Sequence, residues 1–467
     1  MRVLSEDVAA LPRSLIALAF LFECSLSDAA VSHFPPSLQT LIIPACTTLT
    51  GACIPNLPRS LVRLELPKAH KIADAGLFFL PPGLTILDLS SAAISDSGLS
   101  KLPASLVHLR LVKNEKLTAQ CLSKMPPHLV DLELIRPLRH MTDDDVKHLP
   151  KYLLSLDLGY NSVLSDAGMS MLPRSLECLV SHWNENITSN VVQFLPKSIR
   201  NLHLGWPNFS DWAMKNLPSS IHTLQLDSSN VTNACLSYLP SSLTSFTLST
   251  ATDITDAGIR NITVPLRKLA LPNSPLTPDC FAFLPRTLVV LQLRAGVWNE
   301  LRLNDLPHLP PNIASLELDG NENLTEECFS SLPRGLRSFC ASKLVLRTPK
   351  RLTELPRNIT RLRMSGARDL PEEVWEYVPQ HIQYLYLPGP LFKPNVANML
   401  PKSLKELTVA ITDNVDGVTG EYIEIHPELW GPLPRELEFI RCSPTSSFRL
   451  DIRGHWVNVD SPQTRRY

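Results

Sequence analysis

A proline recurs every 22 to 25 residues through most of this 467-residue chain, and it divides the sequence into similar units. The first eleven of these prolines are Pro12, Pro35, Pro58, Pro81, Pro103, Pro126, Pro150, Pro173, Pro196, Pro218 and Pro240. After a degenerate unit (263–271), the series resumes at Pro285, Pro310, Pro333, Pro356, Pro379 and Pro401, with a last copy at Pro434. A period this regular, sustained over about 19 units, predicts a solenoid in which each unit packs only against its neighbours.

Each unit reads LPxSLxxLxLxxNxxIT/SDAGLxxLP, as the segment 102–114 (LPASLVHLRLVKN) illustrates. The leucines of LxL alternate with polar residues, which is typical of a strand with one buried face. Ser or Thr followed by Asp, as at Ser165 and Asp166, predicts a helix start in which the Asp caps a short helical turn. We also expect a buried asparagine to link neighbouring units, at a register occupied by Asn114, Asn161, Asn184 and Asn321.

The LxxLxL core resembles that of leucine-rich repeat proteins over nearly the whole chain. The resemblance implies an α/β leucine-rich repeat solenoid, a curved horseshoe with a parallel β-sheet on the concave face and short helices or turns on the convex face. We predict an array of about 18 units over residues 1–410. Residues 411–467 then form a last irregular repeat and a C-terminal cap.

The composition narrows the classes of partner. A formal net charge of −1 gives no global electrostatic attraction for nucleic acid or an anionic membrane. No apolar run reaches the ~18 residues that a membrane span needs. The segment 15–22 (LIALAFLF) has the length of a signal-peptide core, but it also fits the repeat strand. We therefore expect a cytoplasmic protein, with secretion as the less favoured alternative.

No catalytic motif or ligand spacing is visible, so the sequence predicts a non-enzymatic protein without a metal site or cofactor. Four of the ten cysteines, Cys121, Cys235, Cys280 and Cys328, hold the position that glycine holds in the DAGL or DSGL units. A position that accepts Gly or Cys interchangeably indicates a small, buried group, and we expect reduced core thiols there. Six N-x-S/T sequons occur, of which four are by-products of the repeat pattern.

Candidate binding residues follow from the register of the repeat. Counted from the proline of each unit, positions 5, 7, 9 and 10 are expected on the concave face. The tenth position reads Lys113, Arg136, Tyr160, Trp183 and Trp206 in five successive units, with His182, His203, Asp157 and Asp227 nearby. We interpret these residues as a partner-binding stripe. The alternative is that the rings only cover the edge between strand and turn.

Two further groups of residues are expected on the same face. One is Arg294, Arg361, Arg363, Tyr384 and Tyr386; the other is Arg63, Glu65, His108, Arg110, Asp131 and Glu133. Their mixed charges suit a protein partner better than a phosphate backbone. Solvated surface charges are the alternative interpretation.

The favoured function is a non-catalytic scaffold that binds a protein partner on the concave face. The LPxSL signature is similar to the units of bacterial secreted leucine-rich repeat effectors, and the DAGL turn is similar to repeats of F-box adaptors. These resemblances imply two alternatives: a substrate-recognition subunit that binds ubiquitin-ligase components, and a secreted or surface receptor or effector.

Overall fold

The computed structural model describes residues 8–20, 26–45, 47–135, 138, 141–161, 163–205, 209–227, 230–293, 303–318, 324–341, 344, 346–364, 373–388, 399–410, 434, 437, 439–442, 446–450 and 456–458. The chain divides into two compact units, Arg2–Asn230 and Val231–Tyr467, here called the N-terminal and C-terminal units. The boundary predicted between residues 410 and 411 stays a prediction, because residues 411–433 lie outside the described part of the chain.

The N-terminal unit contains a parallel sheet in which each strand pairs with the next one along the chain. Equivalent repeat positions face each other at every step: Leu18 pairs with Leu41, and Leu41 with Leu64. Its strands are β1 (Ala17–Ala19), β2 (Thr40–Ile42), β3 (Arg63–Glu65), β4 (Ile86–Asp88), β5 (His108–Arg110), β6 (Asp131–Glu133), β7 (Ser155–Asp157), β8 (Cys178–His182), β9 (Asn201–Gly205) and β10 (Thr223–Leu226).

The C-terminal unit repeats this arrangement and ends differently. Strands β11 to β19 pair in parallel and in order, whereas β20 and β21 pair antiparallel. The strands are β11 (Ser245–Leu248), β12 (Lys268–Ala270), β13 (Val290–Gln292), β14 (Ser315–Glu317), β15 (Ser338–Cys340), β16 (Arg361–Arg363), β17 (Tyr384–Pro388), β18 (Glu406–Ala410), β19 (Phe439–Cys442), β20 (Ser446–Leu450) and β21 (Trp456–Asn458).

Short helical turns connect the strands on the side opposite their polar residues. The α-helical turns among the described residues are α1 (Asp74–Leu77), α2 (Asp96–Leu99), α3 (Asp166–Ser170), α4 (Asp211–Lys215), α5 (Asp256–Ile259) and α6 (Val374–Tyr377). The 3₁₀ turns are Ala30–His33, Gly51–Asn56, Ala119–Lys124, Asp143–His148, Ser189–Gln193, Asn233–Tyr238, Pro278–Phe283, Leu303–His308, Glu326–Ser331 and Pro349–Glu354. The predicted fold class, a parallel-sheet solenoid with short helices and turns, is confirmed.

The core of each unit is a stack of leucines between the sheet and the helical turns. In one repeat, Leu61, Leu64 and Leu66 are all fully or almost fully buried, and the same positions are buried in the repeats that follow. The residues that flank the central leucine of each strand are largely half-buried, and we call the side of the sheet that carries them the polar face. Burial of a leucine stabilises a fold by about 1.5–3 kcal/mol, so the core depends on each repeat being covered by the next.

The aspartate at the helix start has a role different from the predicted one. In the turn Asp166–Ser170, the cap is the preceding serine: the Ser165 hydroxyl accepts from the Ala167 N–H. The Asp166 carboxylate instead reaches forward one repeat, where it accepts from the N–H and the hydroxyl of Thr188. The prediction that the Asp caps its own helix was therefore wrong, because the carboxylate lies against the start of the next turn rather than its own.

The same forward link recurs along both units, and we call it the aspartate ladder. It joins Asp28 to Thr50, Asp74 to Ser95, Asp96 to Thr118, Asp143 to Ser165 and Asp256 to Thr277. In one repeat an asparagine replaces the aspartate. The Oδ1 of Asn233 accepts from the N–H of Thr255, and its Nδ2 donates to the Thr255 hydroxyl. Each link satisfies a backbone N–H that the helix start leaves without an intrahelical partner.

Two further ladders connect consecutive repeats. The serine of LPxSL donates backwards to carbonyl groups of the preceding repeat, as Ser60 does to Pro36 and Leu38. The buried Asn114 donates from Nδ2 to the Leu89 carbonyl 2.9 Å away, and this places the predicted asparagine link in the structure. Asn161 and Asn184 donate in the same way, whereas Asn321 lies outside the described residues.

The Gly and Cys units differ more than the sequence indicates. Both residues are buried, but the DAGL and DSGL turns are α-helical, whereas the turns that contain Cys121, Cys235, Cys280 and Cys328 are 3₁₀. A Cβ placed on Gly98 would lie 2.3 Å from Oδ1 of Asp74 in the preceding repeat, so a side chain there would displace this carboxylate from its place in the aspartate ladder. Burial raises the pKa of the Cys121, Cys280 and Cys328 thiols, which favours their neutral form.

No helix in the described part of the chain is long and apolar enough to span a membrane.

The aspartate ladder predicts a matched pair of stability effects at Asp96. Asp96→Ala leaves the Thr118 N–H and hydroxyl without their acceptor, and we expect the free energy of unfolding to fall by about 1–3 kcal/mol. Asp96→Asn keeps an acceptor oxygen, as Asn233 does naturally, and we expect a loss of less than about 1 kcal/mol. Urea denaturation measures both, with the exposed Asp144→Ala as control. Equal losses for the two Asp96 variants would contradict the ladder.

Asp74 predicts the sensitivity of the fold to acid. Burial acts to raise the pKa of its carboxyl, but hydrogen bonds from Ser95 and Ser97 outweigh burial, and the net pKa lies below the ordinary value. Because the ionised form is favoured in the folded state, its contribution is present above pH ~4 and is lost as the pH falls through the lowered pKa. We therefore expect Asp74→Asn to lose less stability than the wild type between pH 6 and pH 3, measured by urea denaturation at each pH.

Candidate partner-binding surface

The tenth position of the repeat lies in a left-handed turn just after the strand. Tyr160 and Trp183 have φ angles of 62° and 61°, and Lys113 has the same conformation. The N–H groups of Tyr160 and Trp183 donate to the carbonyls of His182 and Gly205 in the next repeat, which holds the turn in place. A left-handed backbone costs roughly 1–2 kcal/mol for residues other than glycine. Two large aromatic side chains therefore occupy a position where glycine or asparagine would be more stable.

The two rings stack on the surface. Their centroids lie 6.0 Å apart with an angle of 11° between the planes, so Tyr160 and Trp183 form a parallel pair on adjacent repeats. Tyr160 is 43% exposed and Trp183 is 62% exposed, which makes them poorly covered for aromatic residues. Neither ring is part of the core. Among the described residues, Tyr160 and Trp183 form an exposed stacked pair, and their binding of a partner stays a prediction.

His182 lies at the centre of this pair and is held by two glycines. Its ring packs edge-on against Tyr160 at 5.0 Å and stacks on His203 at 5.4 Å. A Cβ on Gly159 or on Gly205 would come within 2.7 Å of His182, so both neighbouring repeats need glycine there to make room. The Nδ1 of His182 is buried without a hydrogen-bond partner among the described residues. We call Tyr160, His182, Trp183 and His203 the aromatic surface.

The far side of the aromatic surface is fixed by a hydrogen bond. The Nε2 of His203 lies 2.6 Å from Oδ2 of Asp227, the residue that follows β10. The Nε2 of Gln225 donates to the other oxygen of Asp227 at 3.1 Å. The His203 and Asp227 side chains are both partly buried, and the hydrogen bond between them holds the His203 ring in its stacked position against His182.

On the near side, Asp157 lies on β7, one strand before His182. Its Oδ1 accepts from the Gly159 N–H at 2.8 Å. Burial raises the pKa of Asp157 and outweighs the Gly159 hydrogen bond and the nearby histidines, which lower the pKa. The carboxylate is therefore poorly solvated and incompletely neutralised.

The eight predicted partner-binding residues have different outcomes. The structure brings together Tyr160, Trp183, His182 and His203, with Asp157 on the adjoining strand. Lys113 occupies the same left-handed turn two repeats earlier and is exposed. Arg136 and Trp206 lie outside the described residues. Sequence reasoning missed Gly159 and Gly205, although their position on either side of the His182 register was a usable signal.

The two weaker predicted groups lie in different units. In the C-terminal unit, the guanidinium group of Arg361 lies 4.5 Å from the Tyr384 ring centroid, and that of Arg363 lies 4.7 Å from that of Tyr386. Arg294 lies outside the described residues. In the N-terminal unit, the other predicted group lines a cavity of about 280 Å³, which we call the charged cavity. It is lined by Arg63, Glu65, Ile86, Leu87, Asp88, His108, Leu109, Arg110, Asp131 and Glu133.

Ion pairs organise the charged cavity. Arg63 contacts Glu65 at 2.5 Å, and the Nε of Arg110 lies 2.7 Å from Oε2 of Glu133. Burial and nearby carboxylates raise the pKa of Glu133 despite its contact with Arg110. Sequence reasoning missed Asp88, which stands at the same register as Glu65 and Arg110 and could have been found from it.

Among the described residues, no three His, Cys, Asp or Glu side chains form a group able to hold a metal ion.

Comparisons with known proteins agree with this geometry. The family model described as "Leucine Rich repeat" matches residues 83–102 and 150–172. A crystal structure of a TLR13–ssRNA13 complex aligns with 88% of this chain and 72% of that chain at 20% identity, with a TM-score of 0.55. No curated protein matches the sequence significantly.

Two further solved structures align more loosely. The alignment with the circular LRR protein CroV588 covers 92% of this chain and 70% of CroV588 at 18% identity, with a TM-score of 0.40. The alignment with LegL7 from Legionella pneumophila covers 66% of this chain and 98% of LegL7 at 18% identity, with a TM-score of 0.34. The chain is a solenoid protein with a parallel sheet. Its repeats have the leucine-rich repeat fold, and the leucine-rich repeat family model matches two segments of the chain.

The left-handed turn at Trp183 gives a stability test of the aromatic surface. Trp183→Gly removes a stacking contact worth about 0.5–1.5 kcal/mol and relieves a backbone strain of similar size. We expect the free energy of unfolding to change by less than about 1 kcal/mol. Urea denaturation measures it. A loss of about 3–5 kcal/mol, as for a buried tryptophan, would show that the ring is structural.

Proposed function

We propose that this chain is a non-catalytic scaffold that binds a protein partner through the polar face of its N-terminal unit, with the aromatic surface at the centre of the contact. The observation that carries the proposal is the stacked pair of Tyr160 and Trp183. The pair is exposed, and both residues occupy an unfavourable backbone conformation. The same left-handed turn holds Lys68, Ser91 and Lys113, so the turn itself does not require an aromatic residue, and exposed rings at this position are suited to binding.

The chemistry of the surface suits a protein interface. Exposed Trp and Tyr rings are over-represented among the residues that contribute most to protein binding, because each buries a large area with few rotatable bonds. The neighbouring histidines add polar groups at the edge of the rings. His203 is already oriented by Asp227, so little side-chain entropy is lost when a partner contacts it.

Charge favours a protein over a nucleic acid. The structurally similar TLR13 was crystallised in a complex with an ssRNA, but the aromatic surface of this chain is flanked by the carboxylates of Asp157 and Asp227. Phosphate groups would be repelled there, and proteins bind nucleic acid mainly through Lys and Arg.

We propose a cytoplasmic location, where the buried thiols of Cys121, Cys280 and Cys328 stay reduced.

Affinity purification from the native cells tests the proposal with three chains: the wild type, Trp183→Ala and Phe78→Ala. Phe78 is a matched control because it is an exposed aromatic residue (73%) that follows the helical turn α1. We expect at least one protein that is recovered with the wild type and with Phe78→Ala, and that is reduced about tenfold or more with Trp183→Ala.

The identity of that protein separates the alternatives. Recovery of a cullin-type ligase component would favour the adaptor function. Recovery of an extracellular ligand, together with glycosylation of this chain's sequons, would favour a secreted receptor. A partner set that is the same for all three chains would reject the aromatic surface as a binding site.

A further inference from the structure

A row of charged residues crosses the polar face of the N-terminal unit at one register. Glu65, Asp88, Arg110, Glu133 and Asp157 lie directly opposite one another on the five consecutive strands β3 to β7. Strands are spaced about 4.8 Å apart, so four carboxylates and one guanidinium group share a line roughly 20 Å long. The row also runs towards the aromatic surface, because Asp157 is bound to the Gly159 N–H, next to Tyr160.

The cations of this region do not neutralise the row. Arg63 is held by Glu65, and Arg110 is held by Glu133. Among the described residues, the ion-pair partner of Asp131 is His108, whose Nδ1 lies 3.4 Å from Oδ2 of Asp131. Negative charge is thus in excess around the charged cavity. The raised pKa of Glu133, which reflects its burial and the nearby carboxylates, is consistent with this excess.

Asp88 identifies where a ligand would bind. Its side chain is only 9% exposed, and Oδ1 accepts from the Ser90 N–H at 2.8 Å. Its Oδ2 accepts no hydrogen bond from the described residues; the nearest cation, Nη1 of Arg110, is 4.0 Å away. This oxygen belongs to a residue that lines the charged cavity. The Asp88 side chain is thus nine-tenths buried, its Oδ2 has a loose contact with one guanidinium group, and this oxygen can still accept a hydrogen bond from a ligand.

We infer that the charged cavity binds a cationic side chain, guanidinium or ammonium, from a basic segment of the protein partner, with Asp88 and Asp131 as its carboxylate acceptors. A guanidinium group offers several N–H donors in a plane and pairs with carboxylates at two points. The cavity volume of about 280 Å³ has room for such a group beside Arg110. The inference rests on the proposed function in that both assume a protein partner on the same face.

The test uses a synthetic probe, so it does not depend on the partner. A blocked, fluorescein-labelled peptide with four Gly-Arg units is titrated with the purified full-length protein at low salt, and fluorescence anisotropy reports binding. A second peptide carries citrulline in place of arginine, which removes the charge and keeps the shape. We expect the arginine peptide to bind at least about tenfold more tightly than the citrulline peptide, because ionised hydrogen-bond pairs are the stronger ones.

Variants locate the binding site. Asp88→Asn removes the charge and keeps an acceptor for the Ser90 N–H, and Asp131→Asn is a second variant at a half-exposed side chain. We expect each variant to lower the affinity for the arginine peptide by about tenfold. Asp144→Asn is the matched control. It makes the same change of charge in the turn Asp143–His148, where the Asp144 side chain is 77% exposed, and binding should stay within about twofold.

Three results would overturn the inference: equal affinity for the arginine and citrulline peptides, equal weakening by Asp144→Asn and the cavity variants, or tighter binding of a single-stranded RNA than of the arginine peptide. A thermal melt shows that each variant is folded, and if Asp88→Asn is not, Asp131→Asn decides. The two proposals fail separately. Trp183→Ala should leave the affinity for the arginine peptide within about twofold, because Trp183 lies outside the cavity. The same variant should reduce recovery of the native partner, so one proposal can fail while the other holds.

Discussion

The hydrogen bonds between consecutive repeats are the constraint on which the other features depend. A helical turn of four to six residues cannot satisfy its own backbone groups, so they are satisfied by the neighbouring repeat. Asp74 accepts a hydrogen bond from the start of the next turn. Ser60 donates to carbonyl groups of the preceding repeat, and Asn114 donates to the carbonyl group just after the preceding strand. The three links lie at the helical turn, before the strand and after the strand. Together they fix both the spacing and the register of successive strands.

A fixed register has a direct consequence for the surface. Residues that are 22 to 25 positions apart in sequence become neighbours about 4.8 Å apart, and equivalent repeat positions form rows across the sheet. The charged row from Glu65 to Asp157 is one such row. The stacked pair of Tyr160 and Trp183 is another, in the turn that follows the strand. A surface of this kind is specified by the choice of residue at one repeat position, with no change in the core.

Much of the fold could be predicted because the core leucines and the prolines carry a period that is visible in one dimension. The local chemistry was harder. Asp166 follows a capping serine, and the sequence pattern predicts that its carboxylate caps the same helical turn. In the structure the carboxylate accepts hydrogen bonds from Thr188 in the next repeat. The register that Asp88 shares with Glu65 and Arg110 places it on the polar face, but the sequence does not show its burial. Its burial and its oxygen without a hydrogen bond arise only when neighbouring strands enclose it. The Gly and Cys units share one sequence pattern, yet their turns differ in helix type.

The sequence by itself determined the repeat, the parallel sheet, the buried leucines and the residues that share each register, because these follow from periodic patterns of polarity. Only the tertiary structure decided which neighbours touch. It placed Tyr160 and Trp183 in left-handed turns, set His182 between Gly159 and Gly205, and left one oxygen of Asp88 without a hydrogen bond. These contacts depend on ångström-scale distances between adjacent repeats, and a one-dimensional pattern does not contain such distances.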